Sequence, residues 1–460
     1  MGNRKTRRVA TRYKWDRLKV SFWFAPVAMS LGAILLAWAM YWVDGLIPNE
    51  TLQNSRLIIS GTPGELRAML VNMAGTILAT AGVVFTLITL PLSTVAAQYG
   101  SRLLRVFLGD RTTQVVLGMF VATFVYCLAA ALSIPPPSVE PEGPQLTATV
   151  GLLLELATFA SLILLVQHVS TMLQAPNIAA AAGAELLDVV HAEIPEDGRY
   201  GGQNFQETAE ALRDTDGYAV RVRKTGYIQY IDPETIFYLA KEKNLVIRLQ
   251  HKPGYFVRRD TAVALIWPAG SVDEEINQQI RQAFQIGNVR TPTQDVAYAI
   301  NQLVEMAVRA MSAAINDPFT AMTCLDYIGE GLALFVRQGE KAPHFYDQDG
   351  RLCLIFEQIT FQELFSSAFD MLRHCSCDNA SVLLRMLNVI DIIGREADSP
   401  ALNAGKIHRN SIKVQQELLR QVSLIQAESR AGKLIKQDRD VIQRISETLM
   451  VKLSQAEDRR

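Results

Sequence analysis

Cysteine and histidine are scarce: five and six residues of 460. Cys127, Cys324, Cys353, Cys375 and Cys377 are irregularly spaced, which excludes a disulfide framework. His374-Cys375-Ser376-Cys377 has the wrong spacing for a tetrahedral zinc pair, and no second pair completes it, so no metal site is expected. The chain also lacks a G-x-x-x-x-G-K phosphate loop, a G-x-S-x-G elbow and an H-E-x-x-H helix. No catalytic residue and no cofactor is therefore expected, and the chain does not read as an enzyme. Its formal net charge of -1 supplies no long-range field for nucleic acid, which drops out as a partner.

What the chain has is segregation, with apolar residues crowded into the first third. Residues 1–19 form a basic tail, with Arg4, Lys5, Arg7, Arg8, Arg12, Lys14, Arg17 and Lys19 against Asp16. An uncharged run follows, too long for a cleaved signal core and closed by Trp38, Tyr41 and Trp42 at an interfacial belt. Hydropathy predicts four spans, at about 20–42, 68–93, 114–134 and 146–168. The connection 94–113 carries Arg102, Arg105 and Arg111, whereas 135–148 has no Lys or Arg. The positive-inside rule then puts both termini in the cytoplasm of a multi-pass inner-membrane protein, with the lipid bilayer as its first partner.

The second span holds the chain's clearest pattern. Asn72, Gly75, Ala79, Gly82, Thr86, Thr89 and Ser93 recur at steps of three and four, so they share one helix face. Two readings stand. Small residues let membrane helices approach closely, so the face packs against another helix; or its polar members line a watered path. Both hold if the helix forms the inner ring of a homo-oligomer. Pro91 removes an amide hydrogen and predicts a kink at this helix. In the fourth span, Glu155 sits within an apolar run, with Thr158 on its face. An ionisable side chain at that depth is either a proton or cation site or a neutralised structural carboxyl.

Residues 173–216 read as a stalk helix and linker. From 217 to 270 the pattern turns to short strands, at Tyr218–Val222, Tyr227–Ile231, Leu245–Gln250, Tyr255–Val257 and Ala262–Trp267. Asp232-Pro233 opens one helix among them. This predicts a small, partly open half-barrel. Residues 271–460 read as a helical bundle. Thr291-Pro292 opens one helix, Asp317 caps the next, and others follow near 356–374, 379–396, 400–428 and 433–456. Asp295 and Arg309 stand two heptads apart, and with Asn316 and Asp317 they form a candidate polar cluster, either a binding pocket or a set of caps and surface pairs.

The chain resembles a bacterial family of predicted membrane proteins, domain of unknown function 2254. The residues that carry the likeness are Phe85-Thr86-Leu87, Gln98-Tyr99-Gly100-Ser101-Arg102-Leu103-Leu104, Asp110, Gly118-Met119-Phe120 and Phe124-Val125-Tyr126. It continues through Gly226-Tyr227-Ile228-Gln229-Tyr230-Ile231-Asp232 and Pro253-Gly254-Tyr255-Phe256-Val257. The most specific run is Ala313-Ala314-Ile315-Asn316-Asp317-Pro318-Phe319-Thr320-Ala321. Two departures are Gly100-Ser101 in place of Ser-Pro and Asp260 in place of Gly. The resemblance implies a four-span inner-membrane protein with a cytoplasmic domain and supplies no activity.

The expected fold is thus membrane α-helical, with a four-helix transmembrane region (20–172) and a cytoplasmic α+β domain. Two functions fit. One is an oligomeric channel- or transporter-like protein with a regulatory cytoplasmic domain. The other is a membrane-tethered sensor or interaction module that binds a small ligand or protein and transports nothing.

Overall fold

The computed structural model describes residues 23–47, 58–99, 110–134, 144–191, 199–200, 216–340, 343–399 and 408–458. The basic tail, the proline run at 135–137 and the side chain of Pro91 lie outside what is described. The chain divides into two compact units after Ile178.

Unit 1 contains α1 (Phe24–Leu46), α2 (Pro63–Tyr99), α3 (Arg111–Ser133) and α4 (Gln145–Met172). Each starts or stops a few residues from its expected bound. The largest difference is α2, which begins before Ala68 and runs through Pro91 as one assigned helix. Its first turn is closed by Thr62 and Glu65, which exchange hydrogen bonds as a capping box. At ~1.5 Å per residue α2 is ~55 Å long, well beyond a ~30 Å hydrocarbon core. The shared core takes Leu66, Leu70, Met73, Ile77 and Val84 from α2, with Phe120, Tyr126 and Ala130 from α3. Gly118 admits α1 at close range: a Cβ there would lie 2.6 Å from Met29 Sδ and 3.4 Å from Pro26 N. Deleting the side chain is what lets the two helices meet.

Unit 2 begins inside α5 (Ala175–His191). The helix expected as a stalk forms over this stretch and packs against the rest of unit 2. Ala179, Ala182 and Leu186 are fully buried, and Gly331 of α9 (Pro318–Gln338) accepts the Leu186 side chain.

The strands make two sheets rather than one half-barrel. The larger has the order β1-β8-β9-β4-β6-β2 and the smaller β5-β3-β7. Here β1 is Arg199–Tyr200, β2 Tyr218–Arg221, β3 Gly226–Ile231, β4 Val246–Leu249, β5 Phe256–Val257, β6 Ala262–Trp267, β7 Phe284–Gly287, β8 His344–Tyr346 and β9 Leu352–Ile355. All pairs are antiparallel except β4 with β9. Three strands therefore come from the region expected to be helical. The β8–β9 hairpin closes through Asp347, whose amide donates to the Arg351 carbonyl at 2.9 Å. The sheets share a core with α6 (Pro233–Glu242) and α7 (Glu274–Gln282), where Val220, Val222, Ile228, Ile247, Val257 and Ile280 are buried.

The helical part of unit 2 holds α8 (Val296–Ala310), α9, α10 (Phe361–Cys375), α11 (Ala380–Ala397), α12 (His408–Ala431) and α13 (Lys436–Asp458). Each N-terminus from α8 to α11 is closed by a side chain: Asp295, Asp317, Thr360 and Asn379. The helix expected to open at Thr291-Pro292 starts at Val296, because the carboxylate at 295 takes the cap.

Among the described residues five helices are long and apolar enough to cross a membrane: α1, residues 63–90 of α2, α3, α4 and α9.

Candidate functional site

The α2 seam can be followed directly. Asn72, Gly75, Ala79, Gly82, Thr86, Thr89 and Ser93 are all exposed on the single chain. A Cβ built on Gly75 or Gly82 would meet nothing within 4 Å. The opposite face of α2, through Leu66, Leu70, Met73, Ala74 and Ile77, is the one that enters the core. One narrow apolar face thus makes the intrachain contacts, and the seam faces outward alongside exposed Val71, Leu78, Val83, Phe85 and Leu90. The seam's hydroxyls ask nothing of a neighbour. Thr86 donates to the Gly82 carbonyl at 3.0 Å, Thr89 to that of Phe85, and Ser93 to that of Leu90 at 2.8 Å. This back-bonding satisfies the hydroxyl donors of the ribbon from its own helix.

Inside unit 1 the α3–α4 contact carries the polar groups. Thr123 and Thr158, both buried, share a hydrogen bond at 2.8 Å. Tyr126 is fully buried and donates to the Thr147 carbonyl at 2.9 Å. Glu155 lies one turn from Thr158, is half-buried, and accepts no hydrogen bond among the described residues. The structure places it beside the Thr123–Thr158 pair rather than on the α2 seam.

Two carboxylates secure the ends of these helices. Asp44, near the end of α1, accepts from the Leu146 and Thr147 amides at 2.8 Å each. Those amides are orphans of the α4 N-terminus, where Pro144 occupies the cap position and no side chain of α4 itself closes the turn. Asp44 is therefore a cap borrowed from another helix, with an anion at the positive end of the α4 dipole. At the far end, Asp110 caps α3 through the Thr113 amide at 2.7 Å and also meets His168 Nε2 of α4 at 3.0 Å. Neither role was expected. The missing cap at Pro144 was the only signal for the first.

In unit 2 the candidate polar cluster does not form as one group. Asp295 starts α8 and Arg309 ends it, so they stand ~20 Å apart along the axis. Two heptads align residues on a face but also separate them by four turns. Asp295 is buried and takes a two-pronged contact from Arg290, at 2.8 and 2.9 Å, while capping the Tyr298 amide at 3.0 Å. Burial pushes its carboxyl up from the ordinary value, against the pull of Arg290 and the capped amide. Gly254, at φ 87, lies directly beneath, and a Cβ there would overlap the Asp295 carboxylate. Arg309 pairs with Glu305 at 3.1 Å. Asn316 adopts φ 50 and sends the chain round to Asp317, which caps Thr320 of α9. The second end thus consists of a turn and a cap, and Ile315 and Phe319 beside it are exposed. Among the described residues no group of His, Cys, Asp or Glu could hold a metal ion.

Several long apolar helices in one unit, together with a mixed sheet-and-helix unit, define a class: membrane proteins with a sheet-containing part. The chain belongs to the family described as predicted membrane protein (DUF2254), which matches residues 19–391. It is similar to an uncharacterized protein of Mycobacterium tuberculosis (strain ATCC 25618 / H37Rv), 25% identical over 407 residues. An uncharacterized protein of Mycobacterium bovis (strain ATCC BAA-935 / AF2122/97) matches equally, and in each case 84% of this chain and 74% of the relative are covered. No solved structure matches.

Proposed function

We propose that the chain is a multi-pass inner-membrane protein that assembles as a homo-oligomer along the α2 seam. It conducts an ion or small polar solute there, under control of unit 2 as a cytoplasmic regulatory domain. In this reading α1 to α4 are the four spans and both termini are cytoplasmic. The fifth apolar helix, α9, is part of unit 2 and is left out of the spans, because protein buries more of it than of any of α1 to α4. The reading names no catalytic residue and no cofactor.

The observation that carries it is the outward ribbon. Seven small residues on one face, with self-satisfied hydroxyls and no intrachain neighbour over Gly75 or Gly82, suit a close approach by a second α2. Glu155 supplies a carboxyl to the same unit. The test is oligomeric mass in mild detergent together with flux from liposomes. An oligomer that passes ions, with flux altered by Thr86→Leu or Glu155→Gln, supports the reading. A monomer with no flux above empty vesicles overturns it. A second reading rests on the independent sheet core of unit 2. There the spans only tether a module that binds a small ligand or protein, and ligand binding would persist when flux is absent.

A further inference from the structure

The two connections that cross between the sheets of unit 2 lie side by side. Residues 222–225 lead from β2 to β3, and residues 258–261 lead from β5 back to β6. Backbone bonds lock them together. The Asp260 amide donates to the Val222 carbonyl at 2.9 Å, and the Val222 amide to that of Thr261 at 3.1 Å. The Arg259 amide reaches Thr225 Oγ1 at 3.1 Å. Alternation decides what this pair of loops shows to the outside. Val220 and Val222 point into the core, so Arg221 and Arg223 point out, and Lys224 is exposed after them. Arg258 and Arg259 are exposed on the other loop. Four cations are thereby collected on two short connections that contain one acid, Asp260, and Arg221 at the end of β2 adds a fifth beside them.

Apolar side chains border the cations. Tyr255 is 52% exposed and Phe256 48%, separated from Arg258 by the buried Val257. Arg223 also lines a depression of about 260 Å³ with Arg281, Glu274, Gln278 and Gln282, two cations against one acid. Basic side chains interleaved with exposed aromatics suit an anionic lipid surface: the charges meet headgroup phosphates and the rings enter the interface. Single-stranded nucleic acid fits less well, because bases need free ring faces. Tyr255 already stacks its face on His251 at 4.1 Å, and Phe256 meets Tyr227 edge-on at 5.1 Å.

We propose that this double crossover is a docking surface for anionic phospholipid headgroups of the bilayer. Regulation of the spans by unit 2 would then be coupled to membrane lipid charge. The inference deepens the regulatory role given to unit 2 above, yet the surface needs neither flux nor oligomerisation to be present.

The test is amide exchange on the full chain in nanodiscs, phosphatidylglycerol-rich against pure phosphatidylcholine. Peptides covering 221–225 and 255–261 should exchange about fivefold more slowly in the anionic discs, and high salt should erase the difference. Lys224→Glu with Arg258→Glu and Arg259→Glu should abolish it while exchange in α10 to α13 stays unchanged. Equal exchange in both lipids overturns the proposal, as does protection that survives high salt. Protection by added single-stranded RNA in phosphatidylcholine discs, with none from phosphatidylglycerol, also overturns it. Loss of flux with lipid protection intact would count against the channel reading alone.

Discussion

Replacing Gly254 by alanine should destabilise unit 2 by about 3–4 kcal/mol, through three separable costs. The residue sits at φ 87, and an L side chain in the left-handed region costs ~1 kcal/mol. The new methyl group would occupy the space of the Asp295 carboxylate, so that carboxylate must leave. Its departure uncaps α8, worth ~1 kcal/mol. It also breaks the fork to Arg290, where hydrogen bonds to a charged group contribute ~1.5 kcal/mol at the lower end of their range. The lower end applies because Arg290 is 30% exposed and because burial outweighs its pull on the Asp295 carboxyl. The assay is a double-mutant cycle read by urea unfolding of the full chain in detergent, with amide exchange in β3 and α8 as the local probe. Asp295→Ala should remove the cap and the fork by itself. In that background Gly254→Ala should cost only the ~1 kcal/mol of backbone strain. A coupling of ~2–3 kcal/mol is therefore expected between the two sites. Strictly additive costs would refute the claim that the glycine is there to admit the carboxylate.

Two further outcomes follow from single residues. His251 is held below its ordinary value of 6.5 by burial, only partly offset by a backbone hydrogen bond at Ala262. The neutral ring is thus the folded form. Its contribution to stability is complete above the ordinary value and is lost as pH falls through the lowered one. The unfolding midpoint should drop more steeply from about pH 7 to about pH 5 in the native chain than in His251→Gln. Asp44→Ala should destabilise unit 1 by ~2 kcal/mol through the uncapped α4, and Asp44→Asn, which keeps one accepting oxygen, should recover about half, both measured by unfolding in detergent.

How far the residues announce the structure depends on the range of the interaction involved. Caps were legible where the capping side chain is local: Asp232 and Asp317 stand immediately before their helices and close them. Five strands were legible because alternation or a compact apolar run was bounded by turn residues. The hairpin at 344–355 was missed although Asp349-Gly350 between apolar runs is a strong turn signal; the helical periodicity around it masked two short strands. The borrowed cap at Asp44 was out of reach, since it joins positions 102 residues apart. The same holds for the Asp295 fork over Gly254, whose parts lie on a turn, a loop and a helix start. Heptad arithmetic on Asp295 and Arg309 identified a shared face correctly in angle and overlooked the rise along the axis.

The α2 seam and α9 show why composition alone cannot separate lipid-facing from protein-facing helices. Both α9 and the early part of α2 are long and apolar enough to cross a membrane. What separates them is the distribution of size around the helix. In α9 the small residues Gly329 and Gly331 receive Val389 and Leu186, so the chain's own packing consumes them. In α2 no side chain of the chain reaches Gly75 or Gly82, which stay outside together with Val71, Leu78, Val83, Phe85 and Leu90. A surface selected only to dissolve in lipid would gain from leucine at Gly75 and Gly82, because glycine weakens a helix by ~1 kcal/mol relative to alanine. Glycine on this exposed face is therefore a cost that no contact within the single chain offsets.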